Sequence, residues 1–545
     1  MGYFGIITLL KQGVILMSEV REIAESFEAV TAENHSKLLS LVSEQAAQIE
    51  ILQHQLYLMR NARFGRKSEK DVVAEQLVMQ FDEADAKDAE PEEVAESETI
   101  TYTRNKKGQG RQKLPESLPY IEKVHDLTEA EKQCACGCTL TPIGDERSEQ
   151  LDVIPQITFR VVHIRKKYAC RQCEETIQTA KLPKQPIPKS MASAGLLSAV
   201  IEAKFNRHMP LYRQEDMFKR AGLTMTRATL SHWVIQSANL LTPLVKLMED
   251  IIQTYDIAYA DETTLQVLKE KDRKAKTKSY MWLFIGGPPD KRSFIYQYHP
   301  TRANQVAIEF FDDFKGYLHA DCYSAYTALG KKEGVTHVAC MAHARRYFFD
   351  ITRQTKKKKG LAFQVVELIK KLYQLEKILK EEKSSPERIK QERQTQAVPI
   401  LTQIKSLLDE NALKILPQSP IGKAVHYMLA HWKALNHYLQ DGRLEIDNNR
   451  SERSIKPFVI GRKNWMFHGN EIGAHAGATL FSLIETCKAH NVDVFAWLKH
   501  ALGHIHQADT VEKLEQLLPF NVQAEALEAA RAMPELTFPD KKAVQ

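Results

Sequence analysis

The sequence predicts a multidomain α+β protein, and three observations indicate this class. Its 545 residues are too many for one ordinary core, because domains commonly hold about 150 residues. Five of the eight cysteines lie between Cys134 and Cys173, a clustering typical of a local metal site rather than of a disulfide scaffold. Between Tyr255 and Pro457, strand-like apolar runs and helical patterns follow one another. We therefore expect a metal-binding module followed by a mixed sheet packed with helices.

Composition is that of an ordinary globular protein of the cytosolic type. Hydrophobic residues make up 43% and charged residues 26%, and the mean hydropathy is -0.38. The net charge of +6 is compatible with a polyanionic partner but does not demand one. No apolar run reaches the ~18 residues of a transmembrane helix, so we expect a cytoplasmic protein without a membrane partner. Residues 1–16 lack a basic start and a cleavage site and are expected to be a poorly structured extension.

The segment 30–70 is predicted to form a coiled coil. Its apolar residues follow a heptad spacing: Leu38, Val42, Ile49, Leu52, Leu56 and Met59. The pattern indicates either self-association or one amphipathic helix that packs on its own chain. A basic stretch ends the segment, and its Arg66 and Lys67 are candidate contacts to DNA phosphates. Residues 71–115 follow as a disordered charged linker, because 82–98 hold nine acidic residues against one lysine.

Residues 116–182 are predicted to form a zinc-binding module. Two cysteine knuckles carry the candidate ligands: Cys134, Cys136, Cys138, Cys170 and Cys173. Zinc prefers four tetrahedral ligands, and it stabilises domains that are too small for a core of their own. The second knuckle has the favoured C-x2-C spacing. The first offers two pairs, Cys134 with Cys136 or Cys134 with Cys138.

Residues 183–250 are predicted to be a helical region that resembles a helix-turn-helix. Residues 211–220 have a helical pattern, Gly222 marks a turn, and 226–234 form a second helical run with a polar start. This order is typical of a helix-turn-helix, in which the second helix reads DNA, although an ordinary helical hairpin has the same pattern. Arg227 is the candidate DNA contact.

Residues 251–355 are predicted to form the first part of a ribonuclease-H-like core. Strand-like runs at 257–267, 279–286 and 293–298 precede a helix at 303–314 and a fourth strand at 316–323. Antiparallel neighbours explain the short early connections, and the helix provides the crossover to the next parallel strand. In such a sheet the first and fourth strands are neighbours, so Asp261 and Asp321 are expected to converge. Two close carboxylates repel unless a divalent ion, Mg²⁺ or Mn²⁺, lies between them.

Residues 356–440 are predicted to form a helical insertion, after which 441–470 complete the core. Leucines recur at helical spacing in the insertion, for example Leu368, Leu372, Leu375 and Leu379. Residues 471–545 are expected to form a C-terminal helical segment.

The completing segment 441–470 carries the candidate third acid. Asp447 is expected to be the N-cap of a helix, so that Glu452 lies near the end of its first turn. Arg453 and Lys456 beside this carboxylate suit a phosphodiester substrate. Glu445 is the rival third acid; otherwise it is a surface charge before the helix.

The stretch CMAHARR at 340–346 adds cationic side chains near the expected site. Arg345 and Arg346 contribute positive charge at its edge and are candidate DNA contacts. His343 is a candidate for assisting proton movement or contacting DNA; its alternative role is that of a buried hydrogen-bonded histidine.

Several ordered blocks together resemble transposases of the insertion sequence 66 family. They are LQHQLYLMRNARFGRKSEK at 52–70, the CACGC and CRQC knuckles, PLYRQE at 210–215, YADET at 259–263, ADCYSAY at 320–326, CMAHARR at 340–346 and EIDNNRSERSIKPFVIGRKNWMF at 445–467. The resemblance implies a DDE enzyme with a ribonuclease-H-like core and the acidic triad Asp261, Asp321 and Glu452. It also implies the coiled coil, the zinc module and a family-specific C-terminal segment over about 472–518.

The expected function is that of a DNA transposase of an insertion sequence, which uses Mg²⁺ or Mn²⁺ to cleave element ends and transfer strands into target DNA. The expected partners are end and target DNA, a second copy of the chain, and small accessory proteins of the same element. Two alternatives stay open. One is a ribonuclease-H-like nuclease without joining activity, and the other is a non-catalytic, zinc-dependent DNA-binding regulator derived from a transposase.

Overall fold

The computed structural model describes residues 157–169, 177–354 and 359–536. The predicted extension, coiled coil and charged linker lie outside the described residues, together with the DNA-contact candidates Arg66 and Lys67. The candidate zinc ligands also lie outside them: Cys134, Cys136, Cys138, Cys170 and Cys173.

Two compact units are present, and the smaller one spans residues 87–182. Its described part contains an antiparallel pair of short strands, β1 (Lys167–Ala169) and β2 (Ile177–Thr179). Their connection contains the second predicted cysteine knuckle.

Three helices open the described part of the larger unit: α1 (Ala194–Phe205), α2 (Leu211–Arg220) and α3 (Arg227–Thr254). Gly222 ends α2 with a φ of 77°, a left-handed conformation that suits glycine and closes a Schellman motif. The predicted second helix at 226–234 is only the start of α3, whose apolar stripe continues into the core through Ile252. The second helix of the predicted helix-turn-helix is therefore the first part of a long core helix.

The described part of the larger unit has a mixed sheet in the order β5-β4-β3-β6-β7. Five of its six strands are β3 (Ile257–Lys269), β4 (Lys278–Gly286), β5 (Ser293–His299), β6 (Gly316–Ala320) and β7 (Val335–Ala339). The sixth, β8 (His468–Asn470), pairs parallel to β3 outside this order. β3, β4 and β5 pair antiparallel, whereas β6 pairs parallel to β3 and to β7. The crossover contains α4 (Asn304–Phe310), and α5 (Ser324–Leu329) links β6 to β7.

Two predicted boundaries near the crossover were too long. The helix expected at 303–314 ends at Phe310. The fourth strand ends at Ala320 rather than at 323, because Oδ1 of Asp321 accepts a hydrogen bond from the backbone N–H of Tyr323 at 2.9 Å and turns the chain. Asp321 consequently lies immediately after the strand.

Helices fill residues 341–440 on either side of 355–358, which lie outside the described residues. They are α6 (Met341–Gln354), α7 (Leu361–Glu381), α8 (Pro386–Glu392), α9 (Val398–Ala412), α10 (Pro420–Ala430) and α11 (Trp432–Asn436). The four leucines that recur at helical spacing on α7 are buried. They form one apolar stripe of an amphipathic helix.

The C-terminal region returns to the sheet with α12 (Asn449–Trp465), β8 (His468–Asn470), α13 (Glu471–Ala489), α14 (Val494–His504), α15 (Val511–Glu515) and α16 (Ala524–Arg531). α13 covers the edge strand β5. Its hydroxyl groups accept backbone N–H bonds from β5, Ser482 from Tyr296 at 2.8 Å and Thr486 from Phe294 at 3.1 Å. This satisfies donors that an edge strand would otherwise expose. In the described part of the chain, no helix has the length and apolarity needed to cross a membrane.

Candidate active site

Asp261 and Asp321 are neighbours across the parallel strands β3 and β6. The register pairs Tyr259 with His319. Asp261 and Asp321 each follow these residues by two positions, so they lie side by side. Side chains alternate between the faces of a strand, which gives each aspartate the face of the residue two positions earlier. The rings of Tyr259 and His319 stack at 4.7 Å. The two aspartates therefore belong to one face of the sheet.

The helix α12 crosses this same face and brings Glu452 to it. Asn448, which precedes α12, donates from Nδ2 to a carbonyl oxygen of β3 at 3.0 Å. Tyr296, in the sheet row of Asp261, donates its hydroxyl to the carbonyl oxygen of Ser454. Glu452 occupies the first turn between these two anchors.

The charges of Glu452 and Asp321 both act on the carboxyl group of Asp261. Burial raises the pKa of Asp261 well above its usual value, and the nearby charges of Glu262, Glu452 and Asp321 raise it further. A divalent cation among these oxygens would remove the repulsion. Oxygen-only donors of this kind fit Mg²⁺ or Mn²⁺ better than softer metals.

Glu262, the neighbour of Asp261, was not singled out from the sequence. Its Oε2 accepts the hydroxyl of Tyr326 at 2.6 Å, and its Oε1 accepts Nε of Arg302 at 2.7 Å. Burial still raises the pKa of Glu262 against the opposing effects of these two partners. The only sequence feature that could have indicated Glu262 is that it directly follows Asp261. The different partners of these two acids are set by the tertiary fold.

The predicted N-cap of α12 was wrong by one residue. Asn448 is the N-cap, and Oδ1 of Asp447 accepts the backbone N–H of Asn449 at 3.1 Å. The rival acid Glu445 forms an ion pair with Arg450, with 2.5 Å between Oε1 and Nη2. Glu445 is thus paired with Arg450, whereas the charge of Glu452 acts on Asp261.

The start of α6 lies against Glu452. Nε2 of His343 is 3.7 Å from Oε1 of Glu452, and the backbone N–H of Met341 donates to the carbonyl of Ile446 at 3.1 Å. Burial lowers the pKa of His343, the charge of Glu452 opposes this effect, and Arg346 adds to it. The predicted assisting residue is therefore beside the acids. Within the described chain, its Nδ1 is buried and makes no hydrogen bond.

The predicted cations divide into a near group and a distant residue. Lys456 is half-buried next to Glu452 and Arg453, and burial lowers its pKa. Arg345 stacks over Phe349 at 4.7 Å.

Arg227 is the distant residue. It forms an ion pair with Glu215 of α2 at 2.9 Å. It begins α3, whose 28 residues extend about 40 Å at 1.5 Å per residue before the chain enters β3.

Comparison with known proteins gives four consecutive matches along the chain. The family described as "Transposase IS66 family" matches residues 189–476, and "IS66 C-terminal element" matches 482–520. The "zinc-finger binding domain of transposase IS66" matches 131–174, and "Transposase C of IS166 homeodomain" matches 51–122.

The chain is also similar to proteins of Sinorhizobium fredii. "Uncharacterized protein y4jD" is 34% identical over 76% of this chain and 82% of its own length. "Uncharacterized protein y4qI" is 29% identical over 95% of this chain and 97% of its own length.

These matches define a transposase-type protein with a zinc-finger-type module. The chain belongs to the IS66 family of transposases.

Proposed function

We propose that this transposase cleaves phosphodiester bonds at the ends of an insertion sequence and joins the freed 3′-hydroxyl groups to target DNA. The observation that supports the proposal is that Asp261 lies on β3, Asp321 directly follows β6 and Glu452 lies in the first turn of α12, with the charges of Asp321 and Glu452 acting on Asp261. Three antiparallel strands followed by two parallel ones, in the order β5-β4-β3-β6-β7, support a ribonuclease-H-like core.

The three carboxylates are the proposed ligands of Mg²⁺ or Mn²⁺. When bound, two such ions activate an attacking oxygen and stabilise a leaving one in phosphoryl transfer. The donor set fits, because carboxylate oxygens suit these hard cations. The pKa of Asp261 is raised, which indicates that the protein alone does not balance the negative charge of this carboxylate.

The neighbouring cations would bind and orient the DNA backbone. Lys456 and Arg453 follow the acid on α12, and Arg346 and Arg345 lie on α6 beside His343. Backbone phosphates are neutralised by such side chains, which gives affinity without sequence selectivity. A neutral His343 at 3.7 Å from Glu452 has a ring nitrogen able to accept a proton near the reacting oxygens.

The remaining modules would select and pair the element ends. The zinc module, with ligands from Cys134, Cys136, Cys138, Cys170 and Cys173, and the α2–α3 region with Arg227 would read the end sequences. The coiled coil would join two copies of the chain, and Arg66 and Lys67 would contact phosphates beyond it. Small accessory proteins of the same element are proposed as further partners.

The test is incubation of the purified full chain with Mg²⁺, labelled end duplexes and target DNA. Asp261→Asn and Glu452→Gln should each abolish cleavage and joining while end binding persists. Glu445→Gln is the matched control, because that carboxylate is paired with Arg450, and it should retain activity. Joining by Asp261→Asn would contradict the proposal. Cleavage without joining by the wild type would indicate the nuclease, and DNA binding with no metal-dependent nicking would indicate the zinc-dependent regulator.

A further inference from the structure

Three side chains beside the acidic triad bring a sulfur, a nitrogen and an oxygen together. They are Cys340, immediately before α6, His343 in its first turn, and Glu452 on α12. One donor atom from each lies within 4.8 Å of the others. Cys340 and His343 have C-x2-H spacing, which sets both side chains on one side of the helix start, facing α12.

The chemistry of this set differs from that of the triad. Mg²⁺ strongly favours an octahedral shell of oxygens and retains several waters. A thiolate, an imidazole and a carboxylate are ligands of Zn²⁺, in sites that keep a fourth position for water. Bonds of about 2.0–2.3 Å hold zinc ligands within about 4 Å of one another. Small rotations of His343 and Glu452 suffice, because their side chains are 26% and 18% exposed and are not tightly enclosed.

The thiol is already held in position. Cys340 is 1% exposed, and its Sγ accepts a hydrogen bond from the backbone N–H of Asn448 at 3.2 Å. Outer hydrogen bonds to a ligand atom fix its orientation toward a metal. Nδ1 of His343 is buried and has no hydrogen-bond partner in the described part of the chain. An ion could enter past the partly exposed side chains of His343 and Glu452.

We propose that Cys340, His343 and Glu452 form a second metal site that takes a borderline-soft divalent ion such as Zn²⁺. On binding, the Cys340 thiol releases its proton to solvent, so a thiolate and a carboxylate balance the charge of the ion. Glu452 belongs to both sites. An ion held by Cys340 and His343 would direct this carboxylate toward α6 and away from Asp261 and Asp321. Zinc at this site would therefore inhibit the magnesium-dependent reaction, a consequence that rests on the proposed function.

The direct test counts zinc in the full-length protein, without DNA, after dialysis against Zn²⁺ and removal of excess metal. Cys340→Ala and His343→Ala should each hold one zinc fewer per chain than the wild type. Cys487→Ala is the matched control, since Cys487 is also a buried thiol but lies on α13, and it should match the wild type. The zinc module contributes equally to all variants, so differences report this site.

Replacing Zn²⁺ by Co²⁺ gives a second readout. Cys340→Ala should lose part of the thiolate-to-cobalt charge-transfer absorbance, and Cys487→Ala should lose none. If Cys340→Ala fails to fold by circular dichroism, the more exposed His343→Ala decides the result. An unchanged zinc count in both variants overturns the proposal.

The inhibitory consequence is tested separately. Zn²⁺ added to a magnesium-supported cleavage reaction should inhibit the wild type and Cys487→Ala at lower concentration than Cys340→Ala. The same zinc sensitivity in Cys340→Ala overturns the inhibitory role. If the wild type lacks cleavage under Mg²⁺ while the zinc counts differ as expected, the proposed function fails and the metal site stands.

Discussion

Asp261 and Asp321, on and directly after the parallel strands, are held by a different kind of contact from Glu452 on α12. Asp261 and Asp321 are neighbours because the backbone register of β3 and β6 sets them there. Glu452 is 131 positions beyond Asp321 in the chain, and side-chain bonds hold its helix to the sheet. One half of the site thus depends on a ladder of backbone hydrogen bonds and the other on a few buried polar side chains.

Arg393 is the principal anchor of the second half. It is 2% exposed and lies in a π-helical turn between α8 and α9. Its guanidinium donates to both carboxylate oxygens of Glu376, at 2.8 and 2.7 Å. It also donates to the carbonyls of Tyr438, Asp441 and Leu444. One side chain thus ties the inserted helices to the segment that leads into α12.

The largest expected effect is the loss of this anchor. Arg393→Ala should lower the free energy of unfolding by about 3–5 kcal/mol, because it leaves a carboxylate and several carbonyls without their buried partner. Chemical denaturation measures the change. Arg388→Ala is the control, since Arg388 pairs with Glu382 at 2.8 Å on the surface and should change stability by less than about 1 kcal/mol. Equal effects would contradict the role given to Arg393.

A second prediction concerns the charge of Asp261. Since the pKa of Asp261 is raised, the folded protein retains a proton that the unfolded chain releases. The free energy of unfolding of the metal-free protein should therefore fall as pH rises from about 3.9, the ordinary pKa of aspartate, to the raised value. Asp261→Asn should remove this loss and be more stable than the metal-free wild type at pH 7.

Mg²⁺ should reverse the order of stability. At a hundred times its Kd it should raise the free energy of unfolding of the wild type by about 2.7 kcal/mol, and that of Asp261→Asn much less. Glu445→Gln should respond as the wild type does. Thermal unfolding with and without Mg²⁺ measures both effects, and an equal response of Asp261→Asn would refute the assignment.

A smaller effect is expected at the contact between α12 and β3. Asn448→Ala removes the bond to the β3 carbonyl at 3.0 Å and the bond from Ser451 at 2.8 Å. The expected cost is about 2 kcal/mol, with a loss of cleavage because Glu452 is less well positioned. Asn464→Ala on the same helix, whose bond to Ile460 is solvent-exposed, should be nearly neutral. A neutral Asn448→Ala would show that other contacts hold α12.

The sequence was informative where local patterns determine the structure. Strand-like apolar runs predicted β3 to β6 and their order along the chain, and Gly222 predicted the turn between α2 and α3. Asp261 and Asp321 could be singled out because each is an acidic residue in the middle or at the end of such a run.

The partners that hold the site together could not be predicted in this way. Cys340, Asn448 and Arg393 bond to groups roughly 20 to 190 positions away, and nothing in their local sequence specifies these partners. Glu262 and Asp261 are neighbours of the same residue class, yet one is paired with Arg302 and Tyr326 while the other faces the carboxylates. The C-x2-H spacing of Cys340 and His343 was a visible signal, but its significance depends on Glu452 lying opposite.

The most direct measurement is a titration of the full-length chain with Mn²⁺, followed by the loss of the free-ion electron paramagnetic resonance signal. The wild type should bind Mn²⁺, and Asp261→Asn, Asp321→Asn and Glu452→Gln should each weaken binding, whereas Glu445→Gln should not. Unchanged binding in the three acid variants, with the proteins folded, would contradict a shared cation site on this face of the sheet.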